Sequence, residues 1–128
     1  MAVWERWLAK ARLFARYAED NFREARYDAA AFYAQQAAEV LLIGILLKRT
    51  GARPYTHSLT EMLGALGRIH GREVPRGVLI SAAKLERHYL ASRYPDAGAV
   101  EYSEWEAEEA LRCMREVLEF VRSLGEDF

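Results

Sequence analysis

The sequence predicts an all-α protein, an up-and-down bundle of four long helices plus one short helix, in a single domain spanning residues 1–128. Three observations lead there. Alanine occurs 21 times, whereas Val, Ile and Thr together supply 14 residues, a balance that favours helix and leaves little material for a sheet. Apolar residues recur at three- and four-residue intervals rather than alternately. The segments carrying that period are joined by short connections, which makes neighbouring helices antiparallel.

Trp4, Trp7, Leu8, Ala11, Phe14, Ala15, Ala18 and Phe22 form the apolar stripe of the first helix, opposite a charged face with Arg6, Lys10, Arg12, Arg16 and Arg23. The second helix is read from an N-cap at Asp28 to about Thr50, ended by Gly51 and Pro54. Between Ala37 and Lys48 its only polar residue is Glu39, so it must be covered on more than one side. Either it lies at the centre of the bundle or a second chain covers it; the reading adopted has the flank over residues 40–47 sealed by another copy. "SLTE", Ser58 to Glu61, matches a capping box and opens the short third helix with Leu59, Met62, Leu63 and Leu66. The glycine-bearing stretch from Gly67 to Gly77 breaks the pattern. A fourth helix is expected from about Pro75 to Tyr94, with Val78, Leu79, Ala82, Leu85 and Tyr89 buried and Pro95 as its stop. After the loop "DAGAVEY", a second capping box, "SEWE" from Ser103, starts a fifth helix lined inside by Trp105, Ala110, Leu111, Met114, Val117, Leu118 and Val121.

Several function classes are excluded. The longest apolar run, Val40 to Leu47, is far short of the roughly 20 residues that span a bilayer, so no membrane association is expected. The start "MAVWERWLAKAR" lacks the parts of a signal peptide, and a cytoplasmic location is the expectation. Lone Cys113 reads as a small buried hydrophobe. His57, His70 and His88 share no ligand spacing, so no metal is expected, and neither a Walker loop nor a nucleophile elbow is present. The net charge of −1 argues against a general polyanion binder.

Three polar groups remain as candidates. Arg68, His70, Arg72 and Arg76 crowd one glycine-bearing loop; a phosphate site and a solvated surface loop both account for them. Gln35, Gln36 and Glu39 lie within a turn of each other on an apolar helix, and must be paired across helices or line a cleft. The third is "KLERHYLASRYPDAG", Lys84 to Gly98, where His88 and Ser92 share one face and Tyr89 and Arg93 another. A packed, capped helix end explains those letters as well as a ligand site does.

"YDAAAFYAQQAAE", "THSL", "HYLASRYPD" and "YSEWEAEEAL", in this order, resemble the HEPN domain family (higher eukaryotes and prokaryotes nucleotide-binding) over essentially the whole length. The resemblance implies a helical bundle similar to the C-terminal domain of kanamycin-type nucleotidyltransferases. It further implies a homodimer or higher homo-oligomer with a cleft between subunits, and a separate minimal nucleotidyltransferase as partner in a module similar to toxin–antitoxin pairs. Many members are metal-independent ribonucleases that use an Arg followed, after four to six intervening residues, by a His; no histidine here has an arginine at that distance. The expectation is therefore a dimer that binds a nucleotide such as ATP, or an RNA phosphate, near Tyr89, Arg93, Tyr94 and Asp96, with His57 and Ser58 approaching from the third helix. Arg93 would hold phosphate, a tyrosine would stack on a base, and Asp96 would orient Arg93. A ribonuclease using His88 with Arg87 or Arg93 is the second expectation, and a purely structural dimerisation module the third.

Overall fold

In the computed structural model, which describes residues 1–96 and 101–128, the chain forms five helices: α1 (Val3–Arg23), α2 (Tyr27–Thr50), α3 (Leu59–His70), α4 (Arg76–Ala91) and α5 (Glu104–Ser123). Residues 97–100, the middle of the loop read from "DAGAVEY", lie outside the described residues.

The chain reverses between α1 and α2 within three residues. Ala25 takes a left-handed conformation (φ 60°), while Glu24 and Arg26 donate to the carbonyls of Asp20 and Asn21. Arg26 therefore occupies the N-cap position expected for Asp28. Asp28 stands one residue inside the helix, where its carboxylate accepts from the Ala29 amide and faces the positive end of the helix dipole. Phe22 then meets Tyr27 and Phe14 meets Tyr33, as an antiparallel hairpin requires.

α2 is the central element and packs against all four other helices. Every residue from Val40 to Leu46 is buried within the single chain, Val40 being the most exposed of the apolar ones at 8%. The flank assigned to a second copy is thus sealed by the chain's own helices, which corrects that expectation. By length and composition alone α2 would pass for a membrane span, but its apolar surface is taken up by the core.

α4 and α5 run antiparallel: Ser81 donates to Glu116, and two turns further along α4 His88 reaches Glu109. α4 ends at Ala91, three residues before the expected Tyr94, with Ser92 as its C-cap and Pro95 offering no amide to the Ala91 carbonyl. Tyr89, expected inside, is 36% exposed, and Val78 and Leu79 are half-buried. Trp105 is 69% exposed. At 100° per residue it lies two steps off the Ala107–Ala110–Leu111 face and in line with Glu109 and Arg112. Cys113 is fully buried, and burial pushes its thiol up.

Both expected helix starts are capped, by different means. Ser103 and Glu106 close a full capping box. Ser103→Ala is expected to cost about 1 kcal/mol, visible as a lower urea midpoint at unchanged slope. At Ser58 the hydroxyl accepts from the Glu61 amide, but the Ser58 amide is taken by Thr56. The carboxylate that reaches this helix start belongs to Glu86 of α4.

Candidate functional site

The C-terminal end of α4, the N-terminal half of α2 and the start of α3 line two hollows. Arg93 lines the larger of them and Tyr89 the smaller. The Arg93 guanidinium carbon lies 4.9 Å from the Tyr89 ring centre and 5.3 Å from each of Phe32 and Tyr94. Three rings around one cation hold it in place by contacts of about 0.5–1 kcal/mol each at an exposed site. Among the described residues no carboxylate oxygen comes within 4.0 Å of it, so its forked donors stay available for an anion.

The larger hollow, about 620 Å³, is bounded by Tyr27, Asp28, Arg93, Tyr94, Glu101 and Tyr102. The smaller, about 440 Å³, is bounded by Tyr89, Gln35, Gln36, Glu39, His57, Ser58 and Glu86. A hydrogen-bonded row runs along it. Gln36 donates to Gln35 at 2.7 Å, Gln35 donates to Glu39 at 2.9 Å, and the Glu39 carboxylate stands 3.2 Å from the His57 ring. The polar cluster on α2 therefore does both things open to it: it satisfies buried Gln35, 2% exposed, and it lines a cleft.

The structure thus brings Tyr89, Arg93 and Tyr94 together, and brings His57 and Ser58 to the hollow that Tyr89 lines. Two expectations need correction. Asp96 is exposed and forms no ion pair with Arg93, whose orientation comes from aromatic rings instead. His88 and Arg87, the ribonuclease candidates, point apart: Arg87 is exposed, whereas the His88 side chain is 8% exposed between α4 and α5. Its Nδ1 is bonded to the Tyr102 hydroxyl and its Nε2 is 3.5 Å from Glu109. Burial holds the imidazole below its usual pKa, against the pull of Glu109 and Glu106, and burial likewise pushes the Tyr102 phenol up. His88 ties the α5 entry to α4 and faces neither hollow.

The basic loop resolves differently again. His70 Nε2 lies 2.6 Å from the carboxylate of Glu126, which also accepts from Arg49 at 2.8 Å. That histidine anchors the C-terminal tail and is not free for a phosphate. Sequence reasoning missed Phe32 and Glu86 as parts of the site. Glu86 was legible, since positions 86, 89 and 93 share one helix face; Phe32 carried no such signal.

An all-α five-helix bundle whose polar cleft opens at the end of α4 is the class of protein defined so far. The chain belongs to the HEPN domain family, whose model matches residues 4–124. Solved structures agree. The protein TT1696 of Thermus thermophilus is 36% identical with a TM-score of 0.83, covering 97% of this chain and 99% of that one. ST0689, described as an archaeal HEPN homologue, is 30% identical with a TM-score of 0.73, covering 96% and 98%. A HEPN domain protein of Thermotoga maritima is 26% identical with a TM-score of 0.70, covering 93% and 96%. No curated protein matches the chain.

Proposed function

We propose that this HEPN chain binds a nucleotide or nucleic-acid phosphate on Arg93, and that it works as a cytoplasmic homodimer beside a separate minimal nucleotidyltransferase in a toxin–antitoxin-like module. The observation that carries the binding reading is the Arg93 guanidinium, caged by Phe32, Tyr89 and Tyr94 with no carboxylate partner among the described residues. A cation held by three rings has less freedom to lose when an anion arrives. The rings beside it supply faces on which a base stacks.

Homodimerisation draws support from a different surface. Ile80, Ala83 and Leu90 follow a helical spacing along the outer face of α4, with Ile80 46% and Leu90 53% exposed. Such a stripe is the part of the molecule that another copy would cover. The enclosed position of His88 favours binding over strand cleavage, since an acid–base group must reach the proton it transfers. Arg93 is accordingly assigned to holding phosphate.

Thermal unfolding in the presence of ATP tests the reading. At tenfold excess over Kd, ligand should stabilise the chain by about 1.4 kcal/mol, roughly 4–6 °C in Tm. Arg93→Ala should abolish that shift, read against the variant's own ligand-free Tm, which itself falls by several degrees as the three ring contacts are lost. An ATP shift that survives Arg93→Ala, or no shift with any nucleotide at millimolar concentration, would overturn the assignment. Sedimentation checks the dimer: a lone particle of 14.7 kDa at micromolar concentration would sink it.

A further inference from the structure

Glu86 and Tyr89 lie three residues apart near the end of α4, Arg93 follows two residues past it, and Glu86 and Tyr89 line the smaller hollow. Glu86 Oε1 accepts from the Ser58 hydroxyl and from the Thr60 amide, both at 3.1 Å. These two bonds hold Oε1 in place. The other oxygen, Oε2, has no hydrogen-bond partner among the described residues. Across the hollow, Glu39 adds a second carboxylate, oriented by Gln35 and reached by the exposed His57 ring. An ionised carboxylate only accepts hydrogen bonds. The wall therefore favours a ligand edge made of donors, and the cation for a phosphate is Arg93, 4.9 Å from the Tyr89 ring centre.

Among the bases only guanine presents adjacent donors, N1–H and the N2 amino group, on its Watson–Crick edge. Adenine and cytosine each set one donor beside an acceptor, and uracil flanks one donor with two acceptors. Bases recognised outside a duplex are read on that edge while stacked on an aromatic ring. The geometry points to a guanine nucleotide as the ligand: its base stacks on Tyr89 and donates to Glu86 and Glu39, and its phosphate meets Arg93. This assignment rests on the phosphate reading above and adds the identity of the base.

Calorimetric titration of the full chain with GMP, AMP, CMP, UMP and guanosine separates the two. GMP should bind about tenfold or more tighter than the other mononucleotides. Glu86→Gln keeps an oxygen for Ser58 and Thr60 and replaces the unpartnered acceptor Oε2 with an N–H donor on a residue that lines the hollow. It should cost GMP about tenfold and bring AMP level with it, whereas Arg93→Ala should weaken all four mononucleotides alike. Four equal affinities, unmoved by Glu86→Gln yet lost in Arg93→Ala, would overturn the base assignment and leave the phosphate reading intact. Guanosine binding as tightly as GMP, with selectivity unaffected by Arg93→Ala, would support the base pocket and remove the phosphate role. Absence of binding for every ligand would overturn both.

Discussion

Gly44→Val is expected to leave little or no cooperatively folded protein, and Gly44→Ala to lose about 1–3 kcal/mol. Gly44 lies in the interior of α2, where alanine would ordinarily gain about 1 kcal/mol from helix propensity alone. A Cβ at this position would meet the Trp7 Cβ at 2.7 Å and the Leu8 Cδ2 at 3.1 Å. The first of these atoms is fixed to the α1 backbone, so no rotamer change relieves the contact and the two helices must separate. They form the most extensive helix pair in the molecule, and their separation would loosen Trp7 and Leu8 together. Gly64 supplies the control. It also sits inside a helix, but a methyl group added there would touch only the Arg68 guanidinium at 3.6 Å, an ordinary contact. Gly64→Ala should therefore stabilise by roughly 0.5–1 kcal/mol. Urea unfolding of the three variants reads the result; destabilisation of Gly44→Ala no larger than the change at Gly64 would refute close helix approach as the reason for glycine.

The same contrast shows what could be read from residues alone. Helix number, order and most boundaries follow from local rules: apolar spacing, Ser103 and Glu106 at a helix start, Gly51 and Gly71 at helix ends. Those signals act over a few residues and survive without tertiary knowledge. What failed were the statements needing two elements at once. Val40 to Leu46 demanded a cover, but nothing local told a second chain from α1, α3, α4 and α5 together. His88 looked like a site residue beside Tyr89, although adjacent helical positions diverge by 100° and that angle puts His88 in the core and Tyr89 in the cleft. Arg93 was legible as an exposed cation near the helix end. Its three-ring cage was only partly so, because Phe32 comes from 61 residues upstream in sequence.

Acid should destabilise the protein in two steps with separate origins, and Glu126→Ala should remove the second of them. The Glu126 side chain is 1% exposed, and its carboxylate accepts from Arg49 at the end of α2 and from His70 at the end of α3. Burial alone would raise its pKa, but the two hydrogen bonds and the neighbouring positive charge outweigh burial and hold it below the usual 4.5. A carboxylate depressed on folding contributes stability that is complete above its unfolded pKa and is lost as pH falls through the folded value. Glu126→Ala should cost about 2–3 kcal/mol at pH 7, two charge-assisted bonds less the rehydration of half-exposed Arg49. That gap should hold above the ordinary carboxyl pKa of 4.5 and close as the pH falls further, through the lowered folded value. His88 supplies the earlier step. Its pKa is lowered from 6.5 by burial, so the unfolded chain takes up a proton that the folded chain refuses, and stability declines as pH drops below about 6.5. His88→Gln keeps an acceptor toward Tyr102 and a donor toward Glu109 without titrating, and should flatten the profile between pH 7 and 5. Urea midpoints at half-unit intervals from pH 7.5 to 3.5 check both steps. A wild-type midpoint that rises on going from pH 7 to 5.5, or a Glu126→Ala gap that widens below pH 4, would have the wrong sign and would refute the assignment.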